Sequence, residues 1–137
     1  MSGHRRTALI TGASAGIGAT FARFLAAQGY DLVLVARRVE RLNELAKELN
    51  QQFGIKSYVF AADLTDKQAP TAIMAFVKEQ SVVIDMLINN AGLSGKTAFA
   101  DTPWQDLANE IQLMITAVTE LAHRVIPDMK QKGWGRI

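Results

Sequence analysis

Residues 11–18 read Thr11-Gly12-Ala13-Ser14-Ala15-Gly16-Ile17-Gly18 and join a short apolar strand, Ala8, Leu9 and Ile10, to a helix running to Gln28 and Gly29. A glycine-rich turn between a strand and a helix makes a phosphate site. Gly12 lets the chain reverse with positive φ, Gly16 leaves no side chain between backbone and pyrophosphate, and Gly18 lets the helix lie close against the sheet. The first-turn amides have no internal partner, so they and the positive end of the helix dipole face the anion. A tight turn with no ligand is the alternative; the second strand, arriving on schedule, favours the ligand.

Working outward, the first helix carries Ile17, Phe21, Phe24, Leu25 and Ala22, which the spacing places on one inward face. Leu32-Val33-Leu34-Val35-Ala36 is a continuous apolar run, the pattern of a parallel strand covered on both faces. An amphipathic helix follows, with Val39, Leu42, Leu45, Ala46 and Leu49 inward and Arg41, Glu44, Lys47 and Glu48 solvated. A third strand is predicted over 57–61, a third helix around Ile73, Met74, Phe76 and Val77, and a fourth strand from Val82 to Asn89. Thr102-Pro103-Trp104-Gln105 reads as a capping box opening the longest helix, which Pro127 should kink or shorten and Gly133 should end. Gly135-Arg136-Ile137 reads as the start of a fifth strand. The fold class is therefore α/β, a Rossmann-like doubly wound parallel sheet ordered 3-2-1-4, then 5.

Composition narrows the function. With 137 residues, 49% of them hydrophobic, the chain is one domain by length and can bury a core. A net charge of +2, with fifteen Lys and Arg scattered among thirteen acids, argues against nucleic acid. No run is long enough for a membrane span or a signal peptide, and the absence of cysteine fits a soluble cytoplasmic protein. His4 and His123 stand alone, so no metal site is expected.

Thr11 to Gly18 resembles the cofactor loop of the short-chain dehydrogenases/reductases, and Asn89-Asn90-Ala91-Gly92 matches that family's second signature in the expected order and separation. The resemblance runs from about Arg6 to Ile137. It implies an NAD(P)-binding Rossmann domain over residues 1–137 that is incomplete, truncated as its fifth strand begins. It also implies hydride transfer between a dinucleotide and an unidentified carbonyl or alcohol substrate. The cofactor-binding positions are then Gly12, Ser14, Ala15, Gly16, Ile17, Gly18, Arg37, Arg38, Asp63, Leu64, Asn90, Ala91 and Gly92.

An acid at the end of the second strand would accept hydrogen bonds from the ribose and repel a 2′-phosphate. Ala36-Arg37-Arg38 offers two guanidinium groups there instead, which favours NADP (NADPH) over NAD. Solvation or capping of the next helix is the other role open to both arginines. By resemblance Asp63, with the Leu64 amide beside it, contacts the adenine amino group, although it is equally placed to cap the third helix. Also by resemblance, Asn89 and Asn90 tie the fourth strand to the glycine loop, with Thr11 as their partner.

The family's catalytic Ser and Tyr-x-x-x-Lys lie past the fifth strand, beyond Ile137. Tyr30 and Tyr58 do not replace them, since an unassisted tyrosine has a pKa of about 10. No catalytic residue is therefore assigned, and the chain alone is expected to be inactive. Matching the long helix to the family pattern places Met114 where an Asn usually completes a proton relay; a slipped register would put Asn109 there. The resemblance also implies a homo-oligomer through the helix from Thr102 to Lys132. A non-catalytic nucleotide-binding or regulatory protein is the alternative function. A methyltransferase is disfavoured by the glycine spacing and by Arg37 in place of an acid.

Overall fold

A computed structural model describes residues 3–93 and 95–137. Met1 and Ser2 of the basic N-terminus, and Ser94 in the loop after the fourth strand, lie outside the described residues. The elements are β1 (Thr7–Thr11), α1 (Gly16–Ala27), β2 (Asp31–Ala36), α2 (Val39–Phe53), β3 (Ser57–Ala61), α3 (Ala69–Glu79), β4 (Met86–Ile88), α4 (Trp104–Ile111) and α5 (Ala117–Lys132). The four strands form one parallel sheet ordered β3-β2-β1-β4. A single parallel bridge, Met86 to Arg136, adds the first residue pair of a fifth strand beside β4.

The period-2 alternation of the strands sorts the core into two layers. Ala8, Ile10, Leu32 and Leu34 meet Ala22, Leu25, Leu42, Leu45 and Leu49 of α1 and α2 on one face. Leu9, Val33, Val35 and Leu87 meet Ile73, Val77, Ala117, Leu121 and Val125 of α3 and α5 on the other. All five residues of β1 are buried, as a central parallel strand covered on both faces requires. The carboxyl ends of all four strands therefore open at the same edge.

Four local expectations are corrected. The inward face of α1 is Gly18, Ala19, Ala22, Leu25 and Ala26, while Ile17 and Phe24 are 69% and 60% exposed. Small residues let the helix axis approach the sheet, and the bulkier stripe of Ile17, Phe21 and Phe24 turns outward. The fourth strand is three residues long, Met86–Ile88, where Val82 to Asn89 were expected; Asp85 just before it still donates its amide to Thr7 O at 2.9 Å, while its buried carboxylate accepts the Thr7 amide at 2.8 Å and pairs with Lys132. The capping box does not form. Thr102 donates its hydroxyl to Ala98 O at 2.9 Å, and Pro103 O accepts the first helical bond from the Leu107 amide at 3.3 Å. Finally, Pro127 does not shorten the long helix, which continues to Lys132 and is capped by left-handed Gly133, because Leu121, Val125 and Met129 bury both sides of it.

Candidate functional site

The glycine turn is built from below by β4. Thr11 Oγ1 accepts the amides of Asn90 and Ala91, each at 3.1 Å. Asn90 Nδ2 donates to Thr11 O at 3.2 Å and to Gly12 O at 3.1 Å. The end of β4 and the turn after β1 are thus one hydrogen-bonded unit, and the Ala13 amide ties it to Val35 O of β2 at 3.2 Å. Asn90 and Thr11 pair as the resemblance implied.

Three glycines do different work in this turn. Gly12 has φ +64°, and a Cβ there would lie 2.8 Å from Asn90 Nδ2 and 2.9 Å from Ala91 Cα. At Gly18 a Cβ would strike Gly12 O and come within 2.6 Å of Asn90 Nδ2. Gly16, at φ +56°, would meet nothing within 4 Å, so the backbone there stands open to an approaching group.

A cavity of about 130 Å³ opens at the carboxyl edge of the sheet. Each strand supplies part of its wall: Gly12 and Ser14 after β1, Arg37 and Arg38 after β2, Asp63 and Leu64 after β3, Ala91 and Gly92 after β4. Ala15, Gly16 and Ile17 are exposed around the start of α1 and do not line it, while Gly18 and Asn90 act from behind the turn. Val35, Ala36, Ala62, Thr65, Leu93 and Leu113 also line the cavity. Four of these adjoin predicted site residues in sequence; Leu113 arrives from the long helix, with no local signal but its neighbour Met114.

The electrostatics of the cavity are set by one acid and two bases. Asp63 Oδ1 accepts the Thr65 amide at 3.0 Å and the Thr65 hydroxyl at 2.7 Å. These two bonds hold its carboxyl below the usual range against partial desolvation, and the Arg37 charge pulls the same way. Asp63 closes its own turn: α3 begins only at Ala69, where Asp66 Oδ1 takes the Gln68 amide at 2.9 Å. Arg37 and Arg38 are exposed, and neither makes an ion pair among the described residues. The arrangement can hold an anion near Ser14 and the guanidinium groups, and can accept a hydrogen bond at the Asp63 carboxylate.

Beyond Gly92 the wall is apolar. The Met114 methyl carbon lies 3.8 Å from where a Gly92 Cβ would stand. Met114 belongs to a wider π-type turn, Gln112–Thr116, that links α4 to α5. Asn109 sits more than a turn away, its Oδ1 accepting Gln105 Nε2 at 2.9 Å, in a separate depression with Lys96 and Glu110. Neither Tyr30 nor Tyr58 lines the cavity. Among the described residues no group of three or more His, Cys, Asp or Glu is placed to hold a metal, and no helix is long and apolar enough to cross a membrane.

The family model for short chain dehydrogenases matches residues 6–137, and the chain belongs to that family. It is 38% identical to a serine 3-dehydrogenase of Agrobacterium fabrum over 129 residues, covering 93% of this chain and 50% of that protein. It is 37% identical to a fatty acyl-CoA reductase of Acinetobacter baylyi over 134 residues, covering 96% and 45%. Among solved structures, a short-chain dehydrogenase from Sphingobium yanoikuyae in complex with NADPH superposes with a TM-score of 0.88 at 42% identity, covering 95% of this chain and 50% of that one. L-sorbose reductase from Gluconobacter frateurii, complexed with NADPH and L-sorbose, superposes at 0.90 with 32% identity, covering 96% and 50%. The chain spans about half the length of the relatives it matches.

Proposed function

We propose that this chain forms the adenosine and pyrophosphate half of an NADPH-dependent oxidoreductase site. The observation that carries the reading is the cavity to which all four strand ends contribute: Gly12 and the Ser14 hydroxyl, the exposed Arg37 and Arg38 guanidinium groups, and Asp63 with its carboxyl held below the usual range. In this reading the α1 amides and Ser14 take the pyrophosphate, and Arg37 and Arg38 take the 2′-phosphate. Asp63 and the Leu64 amide take the adenine edge, while Ala91 and Gly92 leave room for the ribose. Two of the solved relatives hold NADPH, which supports the same preference.

A bound nicotinamide supplies hydride transfer to a carbonyl or from an alcohol. Proton transfer needs a titratable group beside the nicotinamide, and Met114, which packs toward Gly92 where the family pattern has an Asn, offers a thioether with no exchangeable proton. The 137-residue chain alone therefore binds dinucleotide without turnover. Calorimetric titration tests both halves of the reading. NADPH should bind about tenfold or more tighter than NADH, as one charge-assisted contact implies, and Arg37→Ala should narrow that gap. Equal affinity for both would contradict it.

The partner assigned to the outer face of the long helix is a second copy of this chain. Ile111, Ile115 and Ile126 are 45%, 60% and 40% exposed there. A two-fold antiparallel pairing of the helix would set Ile111 against Ile126 with Ile115 between them, the self-complementary pattern of an isologous interface.

A further inference from the structure

Methionine carries all the sulfur of this chain, which has five methionines and no cysteine. Its thioethers are therefore the groups most open to a two-electron oxidant. Access separates them. Met129 is buried against Gly135, and Met74 and Met86 are half-buried against the two core layers. Met114 is 48% exposed, the one exposed methionine among the described residues. It is also the one beside the cleft, with its methyl carbon turned toward Gly92 and its neighbour Leu113 lining the same cavity as Gly92 and Leu93. Leu113 is buried and anchors the π-type turn, whereas the Met114 side chain has three rotatable bonds and can leave Gly92 without moving the helix.

We infer that Met114 is a modification site: a peroxide oxidises its thioether to the sulfoxide and thereby opens the apolar end of the cleft. The sulfur lone pair attacks one peroxide oxygen, an S–O bond forms as the O–O bond breaks, and with hydrogen peroxide the other oxygen leaves as water. Sulfur loses two electrons and the peroxide gains them. The product is a polar side chain with a hydrogen-bond acceptor in place of a thioether. The Leu93 and Leu113 side chains offer it no donor, so the sulfoxide is better satisfied by water and the side chain turns away from Gly92. Reduction of the sulfoxide restores the apolar wall. The site follows from exposure and position alone. Its consequence rests on the NADPH reading, in which a dinucleotide reaching past Gly92 exchanges an apolar contact for solvent once Met114 is oxidised.

The test treats the intact chain with hydrogen peroxide, follows each methionine by peptide mass spectrometry, and measures NADPH affinity by calorimetry before and after. Met114→Leu and Met114→Gln are carried alongside, with thermal unfolding of every sample as the folding control. Met114 should oxidise before Met74, Met86 and Met129, and NADPH should slow its oxidation but not theirs. Peroxide should weaken NADPH binding to the unaltered chain about fourfold, the worth of one buried methyl-sized contact. Met114→Gln should show that weakening without peroxide, and Met114→Leu should not respond to peroxide. Earlier oxidation of Met74, Met86 or Met129, or oxidised Met114 with NADPH affinity unchanged, would overturn the inference while leaving the NADPH reading intact. An untreated chain that binds no NADPH would overturn that reading and the proposed consequence together.

Discussion

Gly18 has no room for a methyl group, because the space its Cβ would take is already filled by Gly12 O and Asn90 Nδ2. Gly18→Ala must push the helix off the turn, and we expect a loss of about 2–3 kcal/mol in urea unfolding. Gly16→Ala meets open space and should cost only the left-handed backbone penalty, about 1–2 kcal/mol. Such a contrast was readable in the sequence, since the turn demanded glycines in fixed places. The role of Asp63 was not, because an acid before a helix can serve the helix, its own turn or a ligand, and only the two Thr65 bonds show which turn it closes. Its depressed pKa carries a sign. Stability from Asp63 is fully present above its unfolded pKa of about 3.9 and is lost as pH falls through the lower folded value. Asp63→Asn should remove that acid-side slope, which unfolding measured from pH 6 to pH 2 would reveal.

For the elements, α1 shows where pattern reading reaches its limit. Two apolar stripes run along it at helical spacing, and the larger side chains make the wrong one look like the core. The Gly18 contact decides the matter, because a helix that touches the turn at glycine can face the sheet only with Ala19, Ala22 and Ala26. Leu25→Ala should therefore cost about 2–4 kcal/mol, whereas Phe24→Ala should stay within about 0.5 kcal/mol in the monomer. The strands were easier to place, since continuous apolar runs mark parallel strands covered on both faces. The capping box failed for a reason the sequence did not carry: the Thr102 hydroxyl is already given to the preceding turn. The long helix was legible as a stripe, but its π-type turn was not, because nothing in residues 112–116 departs from helical spacing. If its outer face pairs two copies, Ile115→Lys should leave thermal unfolding of dilute protein unchanged and shift sedimentation from dimer to monomer. A dimer that persists would place the interface elsewhere.

Across the whole molecule, one edge of the sheet gathers the site and the opposite edge is tied shut. At that opposite edge, Arg6 and Arg136 stack over Trp134 at 3.7 and 4.8 Å, and buried Asp85 joins Thr7 to Lys132. Arg136 also exchanges backbone bonds with β4, accepting from the Leu87 amide at 3.0 Å and donating to Asp85 O at 3.1 Å. These contacts tie the end of the long helix to the first residues of β1 and to β4. Ligand binding should stabilise the folded chain by mass action: NADPH at about a hundred times its dissociation constant should add about 2.7 kcal/mol to the unfolding free energy. In the function proposed above, the described residues hold the adenosine phosphate end of NADPH by themselves. The measurement that tests it most directly is binding of adenosine 2′,5′-bisphosphate against adenosine 5′-monophosphate, two ligands that match the half-site and differ only in the 2′-phosphate. The bisphosphate should bind about tenfold tighter, with an advantage that shrinks as salt is raised. Equal affinity, or binding of neither, would contradict the account.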